Sequence, residues 1–288
     1  MNNIKANTFL YLILQFALVL SQTEENQSIE IETYDGNIFL GEIIEQTDEY
    51  YKIVSKDGIE IIVPKSSVKN IQYLIITEVQ GQVWRSDPNK SMYLFAPSAY
   101  PIERNKKYCR DFCLFFPSYN QGLGNNISVQ AGVFIFPGAH VEGIPMILSV
   151  KYSIPQVYSM SFATGLMYFS MPLLDESVAS GITFGAATFG NKFNHFSAIL
   201  GWGYNKIQSD WEFSEDPMFV LAGNLRQSNT MAFVFELWKF PEVPFDSVPI
   251  MLAERYIGRK MSVDLGFIIA LSMGGLPPPL INFVYYLE

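Results

Sequence analysis

Charge is scarce in this chain. Asp, Glu, Lys and Arg supply 16% of the 288 residues, against about 25% in ordinary soluble domains. What charge there is does not suit a nucleic-acid surface. The net value is −9, and the stretch from Gln22 to Ile75, with eleven acidic and four basic side chains, carries −7 of it. No nucleic-acid partner is expected. Cysteine is nearly absent, with Cys109 and Cys113 alone. Along one extended strand they would share a face about 13 Å apart, too far for a bridge. A disulfide stays open only if that segment bends. No other Cys or His stands near them, so a metal site is not expected. Histidine is as rare: His140 lies near Glu142, and His195 near Ser197. No motif gathers a Ser, a His and a carboxylate at one place, so no catalytic residues are expected. No Gly-rich phosphate loop or metal-ligand spacing appears, so no cofactor is expected. After Ser21 no apolar run reaches 18 residues, so no transmembrane helix is expected.

Apolar and aromatic residues are plentiful. They make up 49% and 15% of the chain, with 23 Phe and 16 Tyr. They alternate with small or polar residues over long stretches. In Arg259–Ala270, for example, Met261, Val263, Leu265, Phe267 and Ile269 fall on one face. Ser262, Asp264 and Gly266 fall on the other. That is a strand with one greasy side.

Four regions follow. Residues 1–21 have the form of a secretory signal peptide: Lys5, an apolar run from Phe9 to Leu20, and small or apolar Val19 and Ser21 before the cut. Residues 22–76 read as a compact five-stranded β module, SH3-like or Sm-like. Its turns are Asp35-Gly36 and Asp57-Gly58, and Gly41 allows a bend. Residues 77–107 form a Pro-broken connector in which Ser91–Ala99 is a possible first barrel strand.

Residues 108–288 carry eleven alternating segments: Cys109–Ser118, Asn126–Phe136, Pro145–Ser153, Val157–Ser170, Val178–Gly190, Asn194–Asn205, Pro217–Gln227, Asn229–Lys239, Val248–Ile257, Lys260–Ala270 and Leu280–Leu287. Tight connections such as GLGN, GNK and GRK alternate with longer ones such as SMPLLDES and KIQSDWEFSED. That is the arrangement of an antiparallel up-and-down transmembrane β-barrel. Parity adds Ser91–Ala99 as an ascending first strand, giving about twelve strands. Ten is the alternative.

Alternation also assigns faces. Phe112, Leu114, Phe162, Leu166, Ile182, Phe184, Leu200, Trp202, Leu265 and Phe283 are expected outward. Ser128, Ser161, Gly181, Thr183, Gly185, Ser197 and Asn224 are expected inward. A Lys or Arg facing lipid at mid-depth costs about 2–4 kcal/mol, and the charges fall on the inner face. Arg226, Glu236, Arg255 and Asp264, with Lys151, are expected to form a charge cluster in the lumen. It would act as a selectivity element or as paired charges plugging a narrow barrel. Glu254 breaks the pattern and is expected near an interface or at a register shift.

The stretches Tyr93-Leu94-Phe95-Ala96-Pro97-Ser98-Ala99, Gly185–Lys192 and Met261–Phe267 resemble an uncharacterised family of envelope proteins. That family pairs a small N-terminal β module with an outer-membrane-type barrel. The resemblance implies location and fold, and no reaction. The expectation is an integral outer-membrane barrel, porin-like or envelope-organising, in contact with outer-membrane lipid. Its N-terminal module would be periplasmic, with a periplasmic partner. The alternatives are a soluble or surface-associated β interaction module and an outer-membrane lipid-modifying enzyme.

Overall fold

The computed structural model describes residues 25–55, 58–79, 82–84, 87, 89–135, 144–157, 159–173, 176–207, 210–270, 272 and 275–287. The signal-peptide stretch and the His140–Glu142 pair lie outside them. The chain divides into two units, Gln22–Ser86 and a barrel unit from Asp87 to Glu288.

The first unit is an antiparallel sheet. Its strands are β1 (Glu25–Thr33), β2 (Ile38–Gln46), β3 (Tyr50–Val54), β4 (Glu60–Pro64), β5 (Val68–Val79) and β6 (Gln82–Trp84), in the order β4-β3-β2-β1-β5-β6. The five expected strands are present, and β6 is an added edge. Asp35-Gly36 makes the first turn, with Gly36 at φ 85°, a region open to Gly without steric cost. Asp35 fixes that turn by accepting the Thr33 hydroxyl and the Asn37 side-chain N–H. Ile29, Ile31, Ile53 and Val63 form its core.

The second unit is a closed antiparallel barrel of twelve strands. They are β7 (Lys107–Phe112), β8 (Phe116–Leu123), β9 (Ile127–Val133), β10 (Met146–Val157), β11 (Met160–Leu173), β12 (Glu176–Gly190), β13 (His195–Ile207), β15 (Met218–Arg226), β16 (Met231–Lys239), β17 (Ile250–Ile257), β18 (Met261–Ile269) and β19 (Pro279–Leu287). β14 (Asp210–Phe213) is a short strand folded back on β13, pairing with Tyr204–Ile207 beyond the stretch of β13 that β15 takes. Each wall strand pairs with its neighbours in sequence, apart from that short strand. β19 pairs with β7, from Leu287↔Lys107 to Asn282↔Phe112, and closes the ring.

The number twelve is reached by a different route from the expected one. Cys109–Ser118 is not one strand. Cys113 and Leu114 take φ values of 55° and 66°, and the chain reverses there. The Asp111 carboxylate accepts the Phe116 N–H at 3.1 Å across the turn. Leu114 is therefore a turn residue, not a wall residue. Ser91–Ala99, expected in the wall, lies inside it. One strand is gained and one lost. The SMPLLDES stretch, expected as a long loop, is mostly strand, since β11 runs to Leu173 and β12 starts at Glu176.

Most faces fall as the alternation requires. Phe162, Leu166, Leu200, Trp202, Leu265 and Phe283 are exposed on the outside. β12 is inverted relative to expectation. Phe184 is buried inward, and Ile182 packs against the same inner core. Thr183 and Gly185 face out. The cause is a cross-strand fit: Phe184 faces Gly165 on β11, and a Cβ at Gly165 would collide with its ring. Phe112 also points inward, against the core that contains Tyr93 and Leu94. Glu254 causes no register shift. It faces out between Phe233 and Leu265.

Candidate functional site

The lumen is filled by the chain's own residues 87 and 89–102. Within them a hairpin forms. Tyr93 N–H donates to Ala96 O at 2.9 Å, Ser98 N–H to Ser91 O at 3.0 Å, and Met92 bridges Pro97. Tyr93, Leu94, Ala96, Ser98 and Ala99 have no exposed surface. The tip is apolar. Tyr93 and Leu94 pack on Ile199, Val220, Val234 and Leu280 from the inner wall, while Phe95 stacks near Phe112 and Trp238.

A turn buried this way leaves backbone groups that must find partners. Wall side chains supply them. Glu236 Oε1 accepts the N–H groups of Leu94, Phe95 and Ala96 at 2.6, 2.7 and 2.8 Å. Its other oxygen accepts Trp238 Nε1 at 2.8 Å. Lys151 is the counterpart at the hairpin's base. Its ammonium donates to the carbonyls of Ser91, Ser98 and Tyr100 at 2.9, 2.8 and 2.8 Å. Charge-assisted bonds of this kind are roughly twice as strong as neutral ones.

Arg255 and Asp264 form a two-bond ion pair, 2.6 Å and 3.0 Å, both about 1% exposed. The same guanidinium reaches Asp87 at 3.3 Å and Tyr93 O at 2.8 Å. Asn282 Nδ2 donates to Asp264 at 3.2 Å. Arg255 thus ties the wall to both the entry and the arm of the lumen segment. Arg226 stands apart. It donates to Ser228 O and Asn229 O at the β15–β16 turn. The five residues singled out from sequence therefore occupy four places. Arg255 and Asp264 share one, and Glu236, Lys151 and Arg226 each have their own partners.

His195 and Ser197 do not meet as a nucleophile and its base. Both turn to the Tyr93 hydroxyl, at 2.8 Å from Nδ1 and 2.6 Å from Oγ. Ser197 also bonds Thr188 at 2.6 Å, and Thr188 accepts the Ala99 N–H at 2.7 Å. This polar row anchors the hairpin's outgoing arm. Arg110 is buried as well, 3% exposed, and touches Met92 Sδ at 3.4 Å. Among the described residues its Nε and Nη2 have no hydrogen-bond partner.

Asp87, Tyr93 and Arg110 escaped the reading of the sequence. For Asp87 and Tyr93 the signal lay in the connector, where Tyr-Leu-Phe-Ala-Pro-Ser-Ala is too apolar for a solvated linker and Pro97 breaks any wall ladder.

A closed antiparallel ring with an apolar outside, and an inside of apolar core and buried polar and charged side chains packed around the chain's own segment, has the architecture of an outer-membrane-type β-barrel. No family model and no curated protein matches the chain. Among solved structures it is similar to one described as "Salmonella typhi OmpF complex with Daunomycin". The identity is 6% and the TM-score 0.30, over 92% of this chain and 96% of that chain. A likeness at that level bears on neither activity nor ligand.

Proposed function

We propose that this protein is an integral outer-membrane β-barrel whose lumen is closed by its own hairpin, and that it organises the envelope rather than passing solutes in its resting form. The observation that carries the reading is the hairpin itself. Six backbone groups of residues 91–100 are held by two buried charges, Glu236 and Lys151. A conducting pore has no use for so many bonds to a blocking segment. In this reading residues 22–76, an SH3-like or Sm-like module, lie in the periplasm and dock a protein partner, and the outer wall contacts outer-membrane lipid.

A second reading is a gated small-solute channel, in which the hairpin leaves when triggered. The unpartnered Nε and Nη2 of Arg110 favour it, because an incompletely satisfied buried charge weakens the contact there.

Membrane fractionation with a heat-modifiability gel tests the location. The expected result is a chain that sediments with outer membrane and migrates faster unheated than boiled. A chain that stays soluble without detergent overturns both readings in favour of a soluble β interaction module.

A further inference from the structure

The barrel wall is uneven in height. β11, β12 and β13 have 14, 15 and 13 residues, whereas β7, β8 and β9 have 6, 8 and 7. At about 3.3 Å per residue and a tilt near 40°, a 15-residue strand rises about 38 Å and a 6-residue strand about 15 Å. The apolar band of such barrels is about 25 Å tall. Strands β15 to β19, with 8 or 9 residues each, rise about 20–23 Å, and the wall falls furthest short at β7.

On the outside of that low side runs a groove of about 530 Å³, within the range of about 300–1,000 Å³ typical of ligand sites. One register row crosses it: Tyr285 faces Cys109, Cys109 faces Tyr119, Tyr119 faces Ala131, and Ala131 faces Leu148. The row alternates large and small. Cys109 and Ala131 make the floor, and Tyr285, Tyr119 and Leu148 make ridges, each exposed. Phe283, Asp111 and Pro117 line its other flank, and the Asp111 carboxylate accepts the Phe116 N–H there. The surface is continuous with the outward apolar face of the neighbouring strands.

We propose that this groove is a binding site for one acyl chain of a membrane lipid, held against the low wall of the barrel. The inference rests on the membrane reading above. Two independent observations select this occupant. The groove is apolar and opens on the face that reading assigns to lipid, so its filler is hydrocarbon. The wall behind it is too short for the bilayer, so lipid there must shorten or tilt to cover the mismatch. A chain lying in a groove does so with its apolar surface still buried.

The test compares wild type with Ala131→Trp, which fills the floor, and with Leu200→Trp, an outward change on the tall side. Each is inserted into phosphatidylethanolamine–phosphatidylglycerol vesicles, extracted in mild detergent and weighed by native mass spectrometry. The expected result is one retained phospholipid on wild type and Leu200→Trp, and at least a tenfold loss on Ala131→Trp. Heat-modifiable mobility confirms that each variant is folded. Equal retention by all three, or no retained lipid on an inserted wild type, overturns the groove. A wild-type mass of two chains that Ala131→Trp abolishes also overturns it, by assigning the groove to a second copy. A wild type that never inserts removes the membrane reading itself, and the missing heat-modifiable band marks that case.

Discussion

Arg255 and Asp264 face each other directly across β17 and β18, and their side chains close a two-bond pair inside the lumen. Taking Asp264 away leaves the buried Arg255 with only its longer 3.3 Å contact to Asp87, and breaking a buried pair costs up to about 3–5 kcal/mol. Asp264→Ala is therefore expected to lower the unfolding midpoint in detergent strongly. Asp87→Leu, Arg255→Met and Asp264→Leu together, which remove all three charges of the cluster, are expected to recover part of that loss. Urea titration followed by tryptophan fluorescence checks both.

The two hairpin clamps should act on the hairpin, and Arg226 should not. Glu236→Gln weakens bonds to three N–H groups, at a cost of about 1.5–3 kcal/mol for a charged acceptor. Hydrogen–deuterium exchange at residues 94–96 is expected to rise in this variant. Lys151→Met should speed exchange at Ser98, because its carbonyl-side anchor is lost. Arg226→Met should leave both regions protected and loosen only residues 227–230. Equal exchange in all three variants would show that these charges do not hold the hairpin.

A glycine on the outer wall is placed for a ring. Gly223 faces Phe235 across β15 and β16, and a Cβ there would run into the Phe235 ring. Gly223→Val should destabilise the barrel by about 1–3 kcal/mol, the usual cost of overpacking. Phe235→Leu in the same chain should relieve it. The double variant therefore unfolds later than Gly223→Val alone in the same titration.

In the N-terminal sheet, the Thr33 hydroxyl and then the Asn37 N–H hold the Asp35 carboxyl below its ordinary range. A carboxyl whose value is lower folded than unfolded stabilises the fold above its unfolded value. That contribution fades as pH falls through the folded value. Carbon-detected NMR titration should show Asp35 titrating low in wild type and moving up toward the ordinary value in Thr33→Val. No movement would mean that the hydroxyl is not the cause.

Much of the barrel is legible in alternation alone, because a strand with one face in lipid and one in a packed lumen repeats every two residues. Lys260–Ala270 shows this, with Met261 to Ile269 outward and Asp264 buried within. Two kinds of residue defeated that logic. Glycine has no side chain to favour a face, so Gly181 and Gly185 passed for lumen residues while the ring of Phe184 took that side. A left-handed turn at Cys113 and Leu114 uses no Gly, Asn or Asp, so nothing in composition marked it. The charged positions were legible as inward, but their partners were not. Glu236 and Lys151 bind backbone, and backbone leaves no mark in sequence.

In the proposed function the hairpin at residues 91–98 closes the lumen. Planar-bilayer conductance tests it on wild type and on a chain with residues 89–100 replaced by a Gly-Ser linker, both verified as folded by heat-modifiable mobility. No steady current is expected from wild type, and stable openings are expected from the replaced chain. Equal, stable conductance from both would contradict that closure.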